Sequence, residues 1–254
     1  MGQVVKKDEV RDYSSFFPRD YFNEYYAKLG DENQFLLNFF HREYQNLAKD
    51  SRVLEFGGGP TIYQILSAAS AVKEIHFAEY LDANRSEIKK WLKGDVEALN
   101  WKPYLDHVSL LNGKEASEHN RRLLEDQVKS KVTEIFECDA YLPNPLINTA
   151  EDKFDIVSSN FCLECIDGRE NVFVGFIEKI GKLVEKKGKL LLSLLKNAES
   201  YQIQNLNFPS FPINEEYIEK LLKSMNFSEI KIDTLHAEAD QGYEGLITLS
   251  ARKL

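Results

Sequence analysis

The sequence has few cysteines, few clustered basic residues and no long apolar segment. Its 254 residues include three cysteines, Cys138, Cys162 and Cys165, a set too sparse and too odd in number for a disulfide framework. No apolar run reaches the length needed to span a bilayer, and the N-terminal residues do not have the pattern of a signal peptide. We therefore expect a cytosolic protein with no membrane partner.

Charge and metal-ligand spacing exclude two further classes. The formal net charge is −9 and the lysines are dispersed. A protein that binds the phosphate backbone of a nucleic acid needs clustered Lys and Arg. The five histidines show no ligand spacing, and the C-x-x-C pair Cys162 and Cys165 has neither a second pair nor a suitable histidine cluster beside it. The sequence predicts neither a nucleic-acid partner nor a bound metal.

Beyond residue 50, short apolar segments alternate with amphipathic ones. The pattern predicts strands at 52–56, 75–80, 133–138, 154–160, 189–195, 228–236 and 244–251, helices at 61–71, 82–93, 169–186 and 214–225, and a solvated helix within 100–131. Such alternation is typical of a parallel sheet with helices on both faces. The two successive strands at the end predict an antiparallel pair at one edge. We expect an α/β fold with a doubly wound, mostly parallel seven-stranded sheet and an antiparallel C-terminal strand.

The first 50 residues differ in composition from the rest. Seven aromatic residues between Tyr13 and Tyr26 precede an amphipathic segment that has Asp31 as a helix cap. We interpret residues 1–50 as a helical lid on a core at 51–254, the two together forming one domain.

Residues 53–63, Val-Leu-Glu-Phe-Gly-Gly-Gly-Pro-Thr-Ile-Tyr, lead from an apolar strand into three glycines. Glycine lets the backbone approach a ligand where a Cβ would collide, and Glu79, twenty residues after Gly59, can accept both ribose hydroxyls. Pro60 removes an N–H that a phosphate would use, and Glu55 adds a negative charge. The turn favours S-adenosylmethionine, which carries a sulfonium and an ammonium, over a dinucleotide. An ordinary strand–helix turn is the alternative.

Several motifs together resemble the small-molecule amine methyltransferases, a family that includes nicotinamide, phenylethanolamine, indolethylamine and thioether methyltransferases. They are residues 18–21 with Tyr25 and Tyr26, 57–64, 80–84, 138–139, 159–164, 244–246 and 251–253, and they cover nearly the whole chain. Gly58, where many members have serine, and Glu79, where several have aspartate, depart from the pattern. The resemblance implies a class I, Rossmann-like methyltransferase fold, S-adenosylmethionine as cofactor, and N-methylation of a small aromatic or arylalkyl amine.

The resemblance also implies a set of cofactor-binding residues. They are Tyr21, Tyr26, Gly57, Gly58, Gly59, Thr61, Tyr63, Glu79, Tyr80, Asn84, Asp139, Ala140, Asn160 and Phe161. Glu79 and Asn84 would hold the ribose and adenosine, and Asp139 would lie by the adenine amine. Glu79 and Asp139 also end predicted strands, where doubly wound sheets bind ligands, although either acid could instead be a helix cap or a turn former.

The predicted acceptor-binding residues are Tyr25, Phe161, Glu164, Tyr201 and Asp240. Glu164 is the candidate to bind the substrate ammonium and take its proton, directly or through water, with a solvated glutamate as the alternative. Tyr21 is the second predicted catalytic residue, because a tyrosine face stabilises a cation.

The strand at 189–195 bears on the acceptor. Ser193 or Leu194 replaces the aspartate of nicotinamide-specific members, so we expect an arylalkylamine rather than nicotinamide. The register of 193–210 is open by one residue. A catalytically impaired S-adenosylmethionine-binding module, methylation of a pyridine nitrogen or a thioether sulfur, and a NAD-dependent reductase remain alternatives. We expect a monomer.

Overall fold

The computed structural model describes residues 13, 15–45, 47–147, 149, 153–237 and 242–254. Its helices are α1 (Pro18–Tyr25), α2 (Asp31–Tyr44), α3 (Asp82–Lys93), α4 (Lys102–Leu111), α5 (Glu118–Lys131), α6 (Glu170–Leu183) and α7 (Glu215–Ser224). Its strands are β1 (Arg52–Phe56), β2 (Glu74–Glu79), β3 (Val132–Glu137), β4 (Phe154–Asn160), β5 (Val184–Lys196), β6 (Ser200–Ile203), β7 (Leu206–Pro209), β8 (Phe227–His236) and β9 (Gly245–Lys253). Among these residues, no helix is both long and apolar enough to cross a bilayer.

A seven-stranded sheet organises the fold, in the order β3-β2-β1-β4-β5-β9-β8. The strands from β3 to β5 are parallel, and β9 lies antiparallel between β5 and β8. The predicted fold class, with its antiparallel C-terminal strand, is confirmed. A separate hairpin formed by β6 and β7, which the sequence pattern did not predict, follows β5.

Neighbouring residues of the central strands feed two apolar clusters on opposite faces of the sheet. In β1, Val53 belongs to a cluster with Leu37 and Phe40 of α2, whereas Leu54 belongs to one with Phe176 of α6. This is the alternation of side chains expected along a strand. Because β1 carries apolar side chains on both of its faces, it forms a strand that is covered on both sides, as predicted.

The helix α2 is more deeply integrated than the word lid implies. Its Leu37 and Phe40 side chains are fully buried in the same cluster as Val53. Residues 15–17 and α1 come before it and reach the carboxyl end of the sheet, where they contribute Phe16 and Tyr21 to a cavity described below. Phe16 and α1 therefore cover the predicted ligand site, and α2, although it is part of the core, adds Glu32, Asn33 and Leu36 to the cavity wall.

The helix predicted at 61–71 is wrong. Only Tyr63–Ile65 form a short 3-10 helix, and turns continue to residue 71. Amides such as Ile65 and Ala68 bond to the carbonyl three residues earlier, as in 3-10 rather than α-helical geometry. The Thr61 hydroxyl and the Gln64 amide both donate to the Gly58 carbonyl, at 2.8 and 3.1 Å, which ties the segment to the glycine turn.

Two other boundaries are also corrected. The region 100–131 forms two helices that are separated at Gly113, whose φ is +71°. The first helix is not solvated, since Tyr104 is fully buried and neighbouring Trp101 is 2 % exposed. The predicted helix 169–186 ends at Leu183, and β5 begins at Val184 rather than at 189. The other predicted elements differ from the structure by at most two residues at either end.

Candidate active site

A cavity of about 220 Å³ lies at the carboxyl end of the parallel strands. The residues after β1, β2, β3 and β4 line it on one side, and Leu195 of β5 and Leu246 of β9 line it on the other. Aromatic residues from residues 13–26 and from the β6–β7 hairpin cover it. Ligands of doubly wound sheets bind at this edge.

The glycine turn after β1 has two glycines with left-handed backbone. Gly57 has φ +67° and Gly59 has φ +59°, values that L residues with a Cβ adopt only with strain. A Cβ on Gly57 would lie 2.1 Å from the Cys162 Sγ, whereas one on Gly59 would meet no atom within 4 Å. Gly57 therefore allows the close packing of β1 and the loop after β4, and Gly59 leaves open space beside the cavity.

Glu79 ends β2 and holds the neighbouring backbone. Its Oε2 accepts from the Gly59 amide at 2.9 Å, and its Oε1 accepts from the Leu81 amide at 2.8 Å and from the Asn84 Nδ2 at 3.1 Å. Burial raises the pKa of Glu79, and these hydrogen bonds partly oppose that rise. The buried Asn84 Oδ1 has no hydrogen-bond partner in the described part of the chain, so an acceptor is available beside a carboxylate.

Asp139 follows β3 and lines the same end of the cavity. Its Oδ1 accepts from the Tyr141 amide at 2.8 Å, which is the turn-forming role that the sequence left as an alternative. The side chain also remains on the cavity wall, half-buried beside Ala140. The two interpretations of this residue are therefore compatible.

Asn160, the last residue of β4, is oriented by a carboxylate behind it. Its Nδ2 donates to the Glu55 Oε1 at 3.0 Å and to the Ser158 Oγ at 2.8 Å. Burial raises the pKa of Glu55 to about 8, with the Asn160 bond opposing the shift. Glu55 does not line the cavity, so its predicted direct influence on a ligand is corrected to an indirect one through Asn160. The Asn160 Oδ1 is buried and bonds to none of the described residues.

These groups fit S-adenosylmethionine. Glu79 provides a carboxylate that can accept ribose hydroxyls, and Gly59 leaves room that a Cβ would fill. The side-chain Oδ1 atoms of Asn84 and Asn160 are buried hydrogen-bond acceptors. Leaving a buried acceptor without a donor costs free energy. An ammonium and a nucleoside supply such donors.

Nine tyrosines line the cavity, namely Tyr13, Tyr21, Tyr25, Tyr26, Tyr63, Tyr80, Tyr141, Tyr201 and Tyr243. The hydroxyls of Tyr21 and Tyr26 are 3.2 Å apart, and the rings of Tyr26 and Tyr63 stack with centroids 5.2 Å apart. Burial raises the pKa of Tyr26 to about 12, and it also raises the pKa of Tyr21. These side chains are neutral at physiological pH and present hydroxyls and ring faces, which attract cations.

Glu164 does not lie where the sequence predicted. It is fully buried, is not part of the cavity wall, and accepts a hydrogen bond from the Leu195 amide at 3.1 Å through Oε1. The Cys165 amide bonds to the Cys162 carbonyl at 2.9 Å. This turn directs Cys162 and Cys165 to the cavity and places Leu163 and Glu164 away from it. Burial raises the pKa of Glu164 to about 7.

The residues of β5 also differ from the expectation. Ser193 and Leu194 are both buried outside the cavity wall, and Leu195 is the β5 residue that faces the cavity. Asp240 lies outside the described residues. Glu244 is exposed and accepts from the Asn197 Nδ2 at 2.8 Å.

The structure brings most predicted site residues to one cavity. Those on its wall are Tyr21, Tyr25, Tyr26, Gly57, Gly58, Gly59, Thr61, Tyr63, Glu79, Tyr80, Asn84, Asp139, Ala140, Asn160, Phe161 and Tyr201. Wall residues that the sequence did not assign to the site are Tyr13, Phe16, Glu32, Asn33, Leu36, Phe56, Leu81, Cys138, Tyr141, Cys162, Cys165, Ile166, Leu195, Tyr243 and Leu246. Within the described ranges, no cluster of His, Cys, Asp and Glu could hold a metal ion.

Solved structures with the same architecture bind S-adenosyl cofactors. The DhpI complex with S-adenosylhomocysteine matches with a TM-score of 0.58 over 93 % of this chain and 91 % of that one, at 11 % identity. The 1,6-didemethyltoxoflavin-N1-methyltransferase of Burkholderia thailandensis, with S-adenosylhomocysteine bound, matches with a TM-score of 0.52 over 100 % of this chain and 92 % of that one, at 14 % identity. The fold is that of the S-adenosylmethionine-dependent methyltransferases.

The chain belongs to the NNMT/PNMT/TEMT family, whose model matches residues 3–254. Nicotinamide N-methyltransferase of Homo sapiens is 30 % identical over 252 residues, which cover 95 % of this chain and 94 % of that protein. Indolethylamine N-methyltransferase of Oryctolagus cuniculus is 27 % identical over 89 % of this chain and 87 % of that protein. The family predicted from the motifs is confirmed, and the protein is an S-adenosylmethionine-dependent methyltransferase.

Proposed function

We propose that this enzyme methylates the nitrogen of a small aromatic or arylalkyl amine and releases S-adenosylhomocysteine. One observation carries the proposal: Glu79, Asn84 and a group of tyrosines line the same cavity. Bound S-adenosylmethionine supplies a sulfonium-bound methyl group, which a neutral amine nitrogen takes with its lone pair while the C–S bonding electrons stay on sulfur. The N-methylammonium product then loses a proton.

The proposed cofactor contacts come from the carboxyl ends of four strands. Glu79 and Asn84 bind the ribose, and Asp139 with Ala140 borders the adenine. Glu55 orients the side-chain amide of Asn160 by accepting a hydrogen bond from its Nδ2. The Asn160 Oδ1 then accepts a hydrogen bond from the methionine ammonium. Tyr21, Tyr26 and Tyr63 surround the methionine part, and the glycine turn gives it room.

The rate of methyl transfer depends on how the acceptor nitrogen is positioned relative to the methyl group. Alignment of two bound reactants can contribute roughly 7 kcal/mol or more to lowering a barrier. In the proposed complex, the acceptor has an aromatic ring that packs against Tyr25, Phe161 and Tyr201. The ring of Tyr21 faces the cation. Phe208 stacks on Tyr201 with centroids 5.2 Å apart and on Tyr13 at 6.0 Å. This aromatic stack keeps water from the acceptor end.

The known relatives divide between two acceptor chemistries, so the proposal needs a direct test. The purified chain is incubated with methyl-labelled S-adenosylmethionine and, separately, 2-phenylethylamine, tryptamine, nicotinamide and dimethyl sulfide. We expect labelled N-methyl product from one or both alkylamines, identified by mass spectrometry. Transfer to nicotinamide or dimethyl sulfide alone would contradict the proposed acceptor class. Product formation by Glu115→Ala, a change at an exposed loop residue, should equal that of the wild type.

We further propose that the protein works as a cytosolic monomer, a single domain of residues 1–254 without a nucleic-acid partner. The net charge of −9 opposes binding to phosphate backbones. Large exposed apolar side chains of the described residues, such as Leu110, Leu123 and Leu206, lie on different elements, which supports a monomer. Light scattering measures the oligomeric state, and a mass of two chains would contradict it.

A further inference from the structure

A carboxylate that the proposed mechanism does not use faces the cavity. Glu32 lies in the first turn of α2, and Tyr243 precedes β9. The Tyr243 hydroxyl lies 2.9 and 3.0 Å from the two carboxylate oxygens of Glu32 and donates to them across 211 residues of sequence. Both side chains are half-buried and line the cavity.

The sheet order assigns this pair to the acceptor end of the cavity. The strands β2 and β3, which present Glu79 and Asp139, lie on one side of β1 and β4. The strands β5 and β9 lie on the other side, and Tyr243 comes two residues before β9 begins. Of the carboxylates on the described cavity wall, Glu32 is therefore the one placed away from the adenosine contacts.

The surroundings of Glu32 suit a cation. Tyr25 and Tyr26 lie near Tyr243, and burial and the Glu32 charge together raise the pKa of the Tyr243 hydroxyl. The hydroxyl therefore stays protonated and continues to donate. Neutral tyrosine rings beside one carboxylate resemble the aromatic cages that bind ammonium groups. A neutral pyridine would gain little from the carboxylate, whereas an ammonium would gain a charge-assisted hydrogen bond.

We propose that Glu32, with its carboxylate held by the Tyr243 hydroxyl, binds the ammonium group of the acceptor and so selects alkylamines that are cationic in solution over neutral pyridines. The inference rests on the proposed function and names a specificity-determining pair for it. The bound ammonium releases one proton to solvent before its nitrogen lone pair takes the methyl group. Because the carboxylate stabilises the ammonium form, Glu32 contributes to acceptor binding more than to the rate of transfer. Its removal should raise KM for the amine with a smaller effect on kcat.

The test compares Glu32→Gln and Tyr243→Phe with Asp31→Asn, which changes an exposed acid one residue earlier in the same helix turn. For Glu32→Gln we expect KM for 2-phenylethylamine to rise roughly tenfold to a hundredfold, which is the range for losing a hydrogen bond to a charged group. Tyr243→Phe should raise it by a smaller factor, and Asp31→Asn should leave it unchanged. Calorimetric titration of 2-phenylethylamine into the S-adenosylhomocysteine complex should show the same order.

Three outcomes would overturn the inference, and they can be told apart. If the amine affinity of Glu32→Gln and Tyr243→Phe equals that of the wild type, the inference fails and the proposed function stands. If Glu32→Gln instead weakens S-adenosylhomocysteine binding, Glu32 belongs to the cofactor end. If the wild type methylates no alkylamine, the proposed function fails and the inference with it. Should Glu32→Gln fold poorly by circular dichroism, the Tyr243→Phe result decides.

Discussion

The carboxylate of Glu79 joins the end of β2 to the glycine turn after β1, because its Oε2 accepts from the Gly59 amide at 2.9 Å. Its other oxygen accepts from the Leu81 amide at 2.8 Å. A residue that the sequence pattern marks as a ribose ligand, with a helix cap or turn former as the alternative, thus satisfies two backbone donors. In the proposed function, ligand binding and local backbone structure therefore depend on the same side chain.

A Glu79 that only bound the ribose would give a Glu79→Ala variant with weaker cofactor binding and little change in folding, and its two backbone hydrogen bonds change that expectation. Removing the carboxylate leaves the Gly59 and Leu81 amides without their acceptor, at a cost of about 1–3 kcal/mol for each group that water cannot reach. We expect the free energy of unfolding to fall by about 2 kcal/mol and S-adenosylhomocysteine affinity to fall at least tenfold. Urea denaturation and calorimetry measure the two effects.

Glu115→Ala is the matched control, since it removes a glutamate from an exposed loop and should change neither quantity. If Glu79→Ala were as stable as the wild type but no longer bound S-adenosylhomocysteine, the two amides would have to be well solvated without the carboxylate.

The two left-handed glycines should respond differently to alanine. In Gly57→Ala the new Cβ would lie 2.1 Å from the Cys162 Sγ, so overpacking adds to backbone strain and we expect a loss of about 3 kcal/mol. In Gly59→Ala only the strain remains, about 1 kcal/mol, but the Cβ enters open space beside the cavity. Gly59→Ala should therefore fold well and bind S-adenosylhomocysteine poorly.

Thermal and urea unfolding of both variants checks this order. Cys162→Ala combined with Gly57→Ala should recover part of the lost stability, because the nearest atom is removed. Equal destabilisation by the two single alanine changes would show that the contact with Cys162 does not matter.

The sheet could be predicted because its signals are local. Apolar strands alternate with amphipathic segments, and α3 has the bounds that the pattern predicted, with Gly94 at φ +70° as its C-cap. The segment 61–71 was harder, since its apolar residues fit a helix but the side chains of Thr61 and Gln64 bond to the Gly58 carbonyl instead. Side-chain hydrogen bonds to the glycine turn, three and six residues earlier, therefore compete with the helix that the apolar pattern predicted.

That the glycine turn, Glu79 and Asp139 line one cavity could also be predicted from sequence, because glycines and acids at strand ends have a known geometry. The positions of Glu164 and Glu32 could not. The direction of Glu164 depends on a turn within 162–165, and spacing does not reveal it. Glu32 reads as an ordinary acid in a first helical turn, and its partner Tyr243 lies 211 residues away. Long-range pairs of this kind leave no local pattern.

The buried position of Glu164 yields an expectation opposite to the one drawn from sequence. Glu164→Gln keeps an oxygen that can accept from the Leu195 amide, so we expect turnover near that of the wild type. Glu164→Ala removes the acceptor and should lower the free energy of unfolding by about 1–3 kcal/mol. Steady-state kinetics of both variants, with urea denaturation, make the comparison. A large loss of kcat in Glu164→Gln at unchanged stability would return the residue to the mechanism.

Glu55 should make stability depend on pH. Burial raises its pKa from an ordinary 4.5 to about 8, so between these values the unfolded chain releases the Glu55 proton while the folded chain keeps it. Ionisation therefore favours the unfolded state as pH rises. The contribution of Glu55 to stability is fully present below pH 4.5, falls as pH rises towards 8, and is constant above that value.

Glu55→Gln isolates this effect, because it keeps an oxygen to accept from the Asn160 Nδ2 and cannot ionise. As pH rises from about 5 to about 8, we expect the free energy of unfolding of the variant to increase relative to that of the wild type by about 2–4 kcal/mol. Urea denaturation of both proteins along the pH series gives the difference and cancels the titration of other groups. A difference that does not change with pH would mean that Glu55 is already ionised in the folded protein at pH 5, and that the Asn160 amide is oriented by a charged rather than a neutral partner.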